Sequence, residues 1–465
     1  MTEWNAREEA ALALEAVLEQ KGYSTIVLDR RIQAYPPSVD SRDKALVTRL
    51  VYGALSHRLT LDAVLDHYSR TPVRKMKPYV ACTLRIALEQ MLFEDRIPDR
   101  AAINEAVENV KHSRYKGLSG FVNGVLRAIV RDGKQIPLPE DPVERLSIKY
   151  SLPATMIRGW SAAYGQEMAE ELCIRLSTEP RVCVRCNTLK TTPEALKKEL
   201  IQKLGAEGVR DAGTLPELFY LERAEDLGNW PALVEGRMVV QNESAALAAA
   251  LTLVKPGDQV LDLCAAPGGK STMMAQRMLD QGRIISCDIY EHKIRLIQNQ
   301  ARTLGMTCIE ACLHDGLEYE PSWEEAFDVV LLDAPCSGLG ILRSKPEIRW
   351  NRSEKDEQEL EELQYRLLQN AARYVRPGGR LVYSTCTLRA EENEWQMQRF
   401  LQEHSNFSEA DVEKDLPSTA ICDNIHNNYA LMPEKGLPES GGWRVILPEA
   451  KGRDGFFIAA CIKKS

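Results

Sequence analysis

From about residue 240 onward, short apolar runs alternate with amphipathic stretches, and this rhythm limits the chain more than any other feature. "QVLDLC" (259–264), "RIISCD" (283–288), "TCIEACL" (307–313), "FDVVLLD" (327–333) and "RLVYSTC" (380–386) have the length and composition of buried strands. Helical stretches such as "KSTMMAQRML" and "EHKIRLIQNQARTL" fill the gaps. Strands joined by helical connections of about 10–15 residues predict a parallel, doubly wound α/β sheet. In such sheets ligands bind beyond the carboxyl ends of the strands, so the chemistry is to be sought there.

The rest of the chain has a different texture. Residues 1 to about 132 carry apolar side chains at three- and four-residue spacings, as in Ala10, Leu14, Val17, Leu18 and Leu46, Leu50, Val51, Leu55, which predicts an all-α segment. "RDGKQIPLPEDP" (131–142) breaks it. Residues 143 to about 235 mix short helices and strands. The expected organisation is a helical domain over 1–138, a small α+β segment over 139–236 and a catalytic α/β domain over 237–465.

The net charge of −8 offers no overall basic field for nucleic acid. The first 150 residues hold 23 basic and 20 acidic side chains, the remainder 36 and 47. RNA contacts must then come from local patches: "RTPVRKMKPY" (70–79), "KHSRYKG" (111–117) and "LRSKPEIRWNR" (342–352), each of which could equally be a solvated face. No apolar run approaches the roughly 18 residues a membrane helix needs. The acidic amphipathic start is not a secretory signal, so a cytoplasmic protein is expected. The 12 cysteines form no disulfide framework. Cys183 and Cys186 have metal-like spacing, but no second pair follows, and the segment alternates like a strand. No metal site is expected.

The first strand end, "LDLCAAPGGKST" (261–272), runs into Pro267-Gly268-Gly269 and a helix. Glycines let a backbone approach a ligand, and the helix start offers free N–H groups. The spacing is neither G-x-G-x-x-G nor that of a phosphate loop. Asp288 ends the second strand, where a ribose diol is usually held, though it could also cap the next helix. Asp315 ends the third and is placed to meet an adenine edge. These positions point to a nucleoside cofactor without separating NAD from S-adenosylmethionine. "LLDAPCSGLG" (331–340) puts Asp333, Pro335 and Cys336 at the fourth end, and "LVYSTCTL" (381–388) puts Cys386 at the fifth. A lone cysteine in such a run is most often a core residue. Two on neighbouring strands would face one cavity, and that pairing suits cytosine chemistry. A thiolate adding to ring carbon 6 makes carbon 5 nucleophilic toward a methyl sulfonium, and a second thiol can assist release. A carboxylic acid near ring nitrogen 3, Asp333 if burial raises its pKa, would ease the addition. Lys270 is a cation that could lower the pKa of the attacking thiol. Spacing does not say which cysteine attacks.

"DLCAAPGGKS", "DAPCSGLG" and "YSTCTL", in this order, resemble the RNA 5-methylcytosine methyltransferases of the Sun/NOP2 type. "SRDKALVTRLVYGALSHRLTLDAVL" and "FVNGVLRAIV" resemble the NusB RNA-binding fold. The resemblance implies an all-α NusB-like N-terminal domain before a Rossmann-like methyltransferase domain, and transfer of a methyl group to carbon 5 of a cytosine in small-subunit (16S) ribosomal RNA. It implies that Cys264, Ala265, Ala266, Pro267, Gly268, Gly269 and Lys270 wrap the methionine part of S-adenosylmethionine. Asp288 would hold the ribose, Asp315 would lie by the adenine, and Asp333 would sit between cofactor and base. Cys386 would be the nucleophile and Cys336 the group that assists release. "DGFF" (454–457) is expected to be an antiparallel terminal strand closing the sheet, and Arg343, Lys345 and Arg349 are expected phosphate contacts. A monomer is expected. The alternatives are a transfer RNA substrate, a non-catalytic NusB-like assembly factor, and a nicotinamide dehydrogenase, the last disfavoured by the missing G-x-G-x-x-G.

Overall fold

The computed structural model describes residues 4–19, 22–350, 354–416, 441–449 and 452–465. The chain divides into two compact units, Met1–Ser177 with Leu342–Arg352, and Thr178–Ile341 with Ser353–Ser465. The segment expected over 139–236 is therefore shared between them. Helices Pro142–Tyr150, Ala154–Tyr164 and Gln166–Leu176 belong to the first unit, while the strands that follow belong to the second.

Among the described residues the first unit is helical: the helical texture expected over 1 to about 132 is present and continues to Leu176. Seven described α-helices run from Ala6–Glu19 to Ser119–Arg131. Local chemistry sets their starts: Asp40 accepts from the Asp43 amide (2.8 Å), and Pro78 opens the helix Pro78–Phe93. That helix is buried on nearly every side, including Arg85, which donates twice to Asp62 at 2.7 and 2.9 Å. A helix with apolar residues all round must lie inside its domain, and the other helices pack around it.

Leu342–Arg352 corrects an expectation. Arg343 and Arg349 are buried, and Arg349 is no phosphate ligand. Its guanidinium donates to the carbonyls of Ser56 (2.7 Å), Ser151 (3.3 Å) and Leu176 (3.3 Å). Ser56 and Leu176 end their helices, and Ser151 follows Tyr150, the end of a third. Helix C-termini leave carbonyls unpaired and carry partial negative charge, so one arginine serves three of them. Burial pulls the Arg349 pKa down to about 10. Glu347 does the converse, accepting from the amide of Ser24 (3.1 Å) at the start of Ser24–Gln33, whose preceding residue supplies no side-chain cap. Trp350 donates to the Leu55 carbonyl at 3.1 Å. Lys345 alone of the three expected phosphate contacts is exposed.

The second unit holds two sheets. The smaller has the order β2-β3-β1-β4, all antiparallel, from β1 (Val182–Cys186), β2 (Val209–Asp211), β3 (Leu218–Leu221) and β4 (Met238–Val240). Cys183 and Cys186 lie in two different core clusters, one on each face. Alternation along β1 thus separates them, and among the described residues no His, Cys, Asp and Glu group could hold a metal.

The larger sheet contains β5 (Gln259–Asp262), β6 (Arg283–Asp288), β7 (Ile309–Leu313), β8 (Phe327–Asp333), β9 (Val375–Thr385), β10 (Phe407–Glu409), β11 (Trp443–Ile446) and β12 (Phe456–Lys463). Its order is β10-β12-β9-β8-β5-β6-β7, with β11 also on β12. The five strands β5 to β9 are mutually parallel, as expected. β12, which begins with the two phenylalanines of "DGFF", is antiparallel to β9. It does not close the sheet, because β10 and β11 pair along its other edge. No helix among the described residues is long and apolar enough to cross a membrane.

Replacing Arg349 with Leu should cost the helical unit about 2–3 kcal/mol, since hydrogen bonds from a charged donor to three buried carbonyls are lost. Denaturant unfolding followed by circular dichroism checks this; an unchanged midpoint would contradict the capping role.

Candidate active site

The carboxyl ends of β5, β6, β8 and β9 bring the expected residues to one edge of the sheet. After β5 the chain turns at once. The Ala265 amide donates to the Cys287 carbonyl on β6 (2.8 Å), and the Gly268 amide to the Ala265 carbonyl (2.7 Å). Gly268 has φ of +105°, a left-handed conformation that favours glycine, and the helix Gly269–Arg277 starts directly after it.

Asp262, the last residue of β5, was not foreseen as a site residue. It is fully buried; Ser271 donates to its Oδ2 (2.6 Å), and its Oδ1 has no hydrogen-bond partner. Burial pushes its pKa up to about 7, against the pull of the Ser271 bond. Asp288 ends β6 with a buried carboxylate that takes the Tyr290 amide (3.2 Å) and Lys293 Nζ (3.3 Å). Tyr290, and not Asp288, precedes the first residue of the helix Glu291–Leu304, which has no side-chain cap, so Asp288 does not cap it as one reading of the sequence had it. Asp315 is exposed after β7, and its Oδ1 accepts from the Leu317 amide (2.9 Å).

At the ends of β8 and β9, Asp333 stands opposite Ser384 in parallel register. Ser384 Oγ donates to Asp333 Oδ1 (2.8 Å), and Lys270 Nζ to Asp333 Oδ2 (2.6 Å). The lysine expected to serve a thiol is therefore paired with the carboxylate. Asp333 is only half-buried, so the deep burial asked of it is not present in this structure. Beyond these residues the two cysteines meet: Cys336 Sγ lies 3.2 Å from Cys386 Sγ and accepts from the Cys386 amide at 3.3 Å. The hydrogen bond with Cys386, followed by burial, pushes the Cys336 thiol well above the ordinary range.

The pair is backed by Gly340 and Gly455, which lie in the motifs "LLDAPCSGLG" and "DGFF" but had no role read for them in the sequence. The Gly340 amide donates to the Cys386 carbonyl (2.9 Å), and the Gly455 amide to the Gly340 carbonyl (3.0 Å). A Cβ on Gly340 would sit 2.0 Å from the Gly455 oxygen, so only glycine fits. Asp454, just before, is held by Asn242 Nδ2 (2.8 Å) and by Ser244 Oγ, which donates to its carbonyl (2.8 Å). "DGFF" thus does more than build a strand: its first two residues brace the loop after β8.

The model of the 16S rRNA methyltransferase RsmB/F family matches residues 249–462, and that of the NusB family matches residues 4–131. The chain is 37% identical over 469 residues to the probable ribosomal RNA small subunit methyltransferase B of Bacillus subtilis (strain 168), covering 100% of both. It is 31% identical over 463 residues to ribosomal RNA small subunit methyltransferase B of Escherichia coli O1:K1 / APEC, covering 99% of each. The chain belongs to the RsmB/F family of 16S rRNA methyltransferases. Among solved structures, PH0851 superposes with a TM-score of 0.79 at 25% identity over 99% of each chain. A methyltransferase homologue from Pyrococcus horikoshii gives a TM-score of 0.56 at 26% identity, covering 70% of this chain and 99% of that one. As an RsmB/F member the protein is an S-adenosylmethionine-dependent methyltransferase with a NusB-type helical domain.

Two outcomes test the site's construction. Gly340→Ala should lower stability by about 1–3 kcal/mol through forced overpacking and lower the methyl-transfer rate with it. Gly228→Ala, with nothing within 4 Å, should change neither. For Asp262 the native pKa lies above the unfolded value of 3.8, so the folded chain holds a proton that the unfolded chain releases. That contribution is complete at low pH and is lost as pH rises through about 7. Relative to Asp262→Asn, the wild type should lose stability between about pH 4, near the unfolded value, and about pH 7; a pH-independent difference would exclude the buried protonated acid.

Proposed function

We propose that this enzyme methylates carbon 5 of a cytosine in small-subunit ribosomal RNA through a covalent adduct on Cys386. The observation that carries this is the 3.2 Å approach of two sulfurs beside a carboxylate held by Ser384 and Lys270. Nothing in methyl transfer to an oxygen or an amine calls for two adjoining thiols. Carbon 5 of cytosine does call for them, because it is nucleophilic only after a thiolate has added at carbon 6.

The cofactor has a fitting cradle. The orphaned Oδ1 of Asp262 is a buried acceptor that needs a donor such as an ammonium group. The loop from Cys264 to Lys270 and the helix start at Gly269 lie around it, with the Asp288 carboxylate for a diol and Asp315 on the outer rim. S-adenosylmethionine, when bound, supplies the electrophilic methyl group that carbon 5 takes.

The residues divide the remaining work. Cys336, whose pKa is raised by its hydrogen bond with Cys386 and by burial, keeps its proton. Cys386 forms the bond to carbon 6. Asp333 faces the pyrimidine edge and is oriented by Ser384 and Lys270. After transfer the carbon 5 proton leaves to a base, the electrons of that C–H bond reform the ring double bond, and the bond to Cys386 breaks; Cys336 assists this release. The target base must leave its stack to reach the thiols, so an unpaired or loop cytosine is expected.

Ribosomal rather than transfer RNA is favoured by the full-length match to relatives named for the small subunit. On the helical unit, the basic stretches 70–79 and 111–117 come together where Tyr79 stacks on Tyr115, ring centroids 6.2 Å apart. Arg74, Lys75, Lys77, Arg114 and Lys116 are exposed there and form the RNA-facing patch. The enzyme works as a monomer in the cytoplasm on this reading.

With unmodified 16S rRNA and S-adenosylmethionine, Cys336→Ala should give an RNA adduct that survives denaturing electrophoresis. Cys386→Ala should give none and lose methyl transfer by roughly 10⁴-fold or more, as loss of a covalent nucleophile does. An adduct on Cys386→Ala would reverse the two roles.

A further inference from the structure

Two adjacent residues, Glu392 and Asn393, touch the chain on both sides of both thiols. Both are fully buried. Glu392 Oε2 accepts from the Ser337 amide (2.8 Å) and from Gln364 Nε2 (2.8 Å). The same Gln364 nitrogen donates to the Pro335 carbonyl at 2.9 Å. The peptide groups before and after Cys336 are thus held from one carboxylate. Asn393 holds the two neighbours of Cys386 rather than its own peptide groups: its Oδ1 accepts from Thr385 Oγ1 (2.6 Å), and its Nδ2 donates to the Thr387 carbonyl (3.1 Å). Tyr383 on β9 donates to the Glu392 carbonyl (2.7 Å), tying the dipeptide to the sheet.

Neither side chain is doing what its place in the sequence would ordinarily ask. Asn393 is the residue before the helix Glu394–Glu403, the position where an asparagine usually accepts from the helix's first amides. Here it makes no such bond and uses both ends of its amide beside Cys386. Glu392 buries a carboxylate, which is costly. Its Oε1 has no hydrogen-bond partner, and the nearest cation, Arg389 Nε, is 3.9 Å away. A fold that needed only to start a helix would place neither group so.

We propose that Glu392 and Asn393 are positioning residues that set the separation of the two thiols, Glu392 through the Cys336 loop and Asn393 through the Cys386 loop. The consequence is a division of labour that deepens the covalent reading above and rests on it. Loss of the Asn393 hold impairs attack, and loss of the Glu392 hold impairs release.

The test uses the full-length enzyme and two readouts. The first is independent of RNA. Diamide, a thiol oxidant that takes up two electrons and two protons, joins neighbouring cysteines into a disulfide, and peptide mapping follows the Cys336–Cys386 bond. Wild type should form it readily, while Asn393→Ala and Glu392→Leu should form it at least about tenfold more slowly. The second is turnover with the adduct gel. Asn393→Ala should lower kcat by about 10²-fold, the size expected of an ångström-scale misplacement, with KM for S-adenosylmethionine unchanged, and should give no adduct even with Cys336→Ala. Glu392→Leu should accumulate adduct with Cys336 intact. Glu392→Gln keeps the acceptor and should restore turnover. Asn393→Asp keeps the shape and loses the donor to Thr387, and its disulfide rate decides the matter if Asn393→Ala does not fold. Wild-type disulfide rates in Asn393→Asp and Glu392→Leu would overturn the proposal. A parallel loss of attack and release in both single variants would overturn the division of labour. Absence of adduct from Cys336→Ala itself would sink the covalent reading, and the disulfide rates would still decide the positioning role.

Discussion

The parallel register of β8 against β9 underlies the rest of this site. With Asp333 opposite Ser384, the chains leave both strands at the same height, and the next few residues of each deliver one sulfur to the same point. A slip of one residue would turn every side chain of a strand to the opposite face, and Asp333 and Ser384 would no longer meet. The register is secured from both flanks, by β5 beside β8 and by β12 beside β9. Beyond the strands it is kept by the backbone contacts of Gly340 with Cys386 and Gly455.

That geometry sets these two thiols apart from most of the other described cysteines; Cys287 on β6 and Cys312 on β7 are the exception, since the hydrogen bond between them raises Cys287 and lowers Cys312 to about 7. Burial pushes Cys82, Cys173, Cys186, Cys308 and Cys461 up to about 12, where they stay inert as packed side chains. Cys336 is also raised, but first by the hydrogen bond to Cys386 and only then by burial. Two thiols this close share their titration, so the hydrogen bond between them, and not burial alone, sets how Cys336 behaves.

The segment Leu342–Arg352 gives the chain's organisation its physical sense. It follows directly on the loop that carries Cys336, yet its buried polar groups close the ends of helices in the first unit. A stretch rich in arginine looked like an RNA contact because charge is what a sequence displays. Its carbonyl partners come from Ser56, Ser151 and Leu176, far away in the chain, and no local pattern announces them.

The alternation of strands and helices, the helical first domain and the residue types at the strand ends can all be read along the chain. Each follows from local periodicity or from motifs whose spacing is short. That reading placed Cys336, Cys386, Asp333 and Asp288 at strand ends because parallel sheets put their ligands there. Folding is what pairs Lys270 with Asp333, sets β12 inside its sheet and brings Arg349 to helix ends. The same holds for Asp262, Gly340, Glu392 and Asn393, whose partners lie up to 115 residues away, as Gly340 and Gly455 do. Hydrogen-bond partnership and burial are properties of the folded arrangement, and a single chain read in order carries no direct record of them.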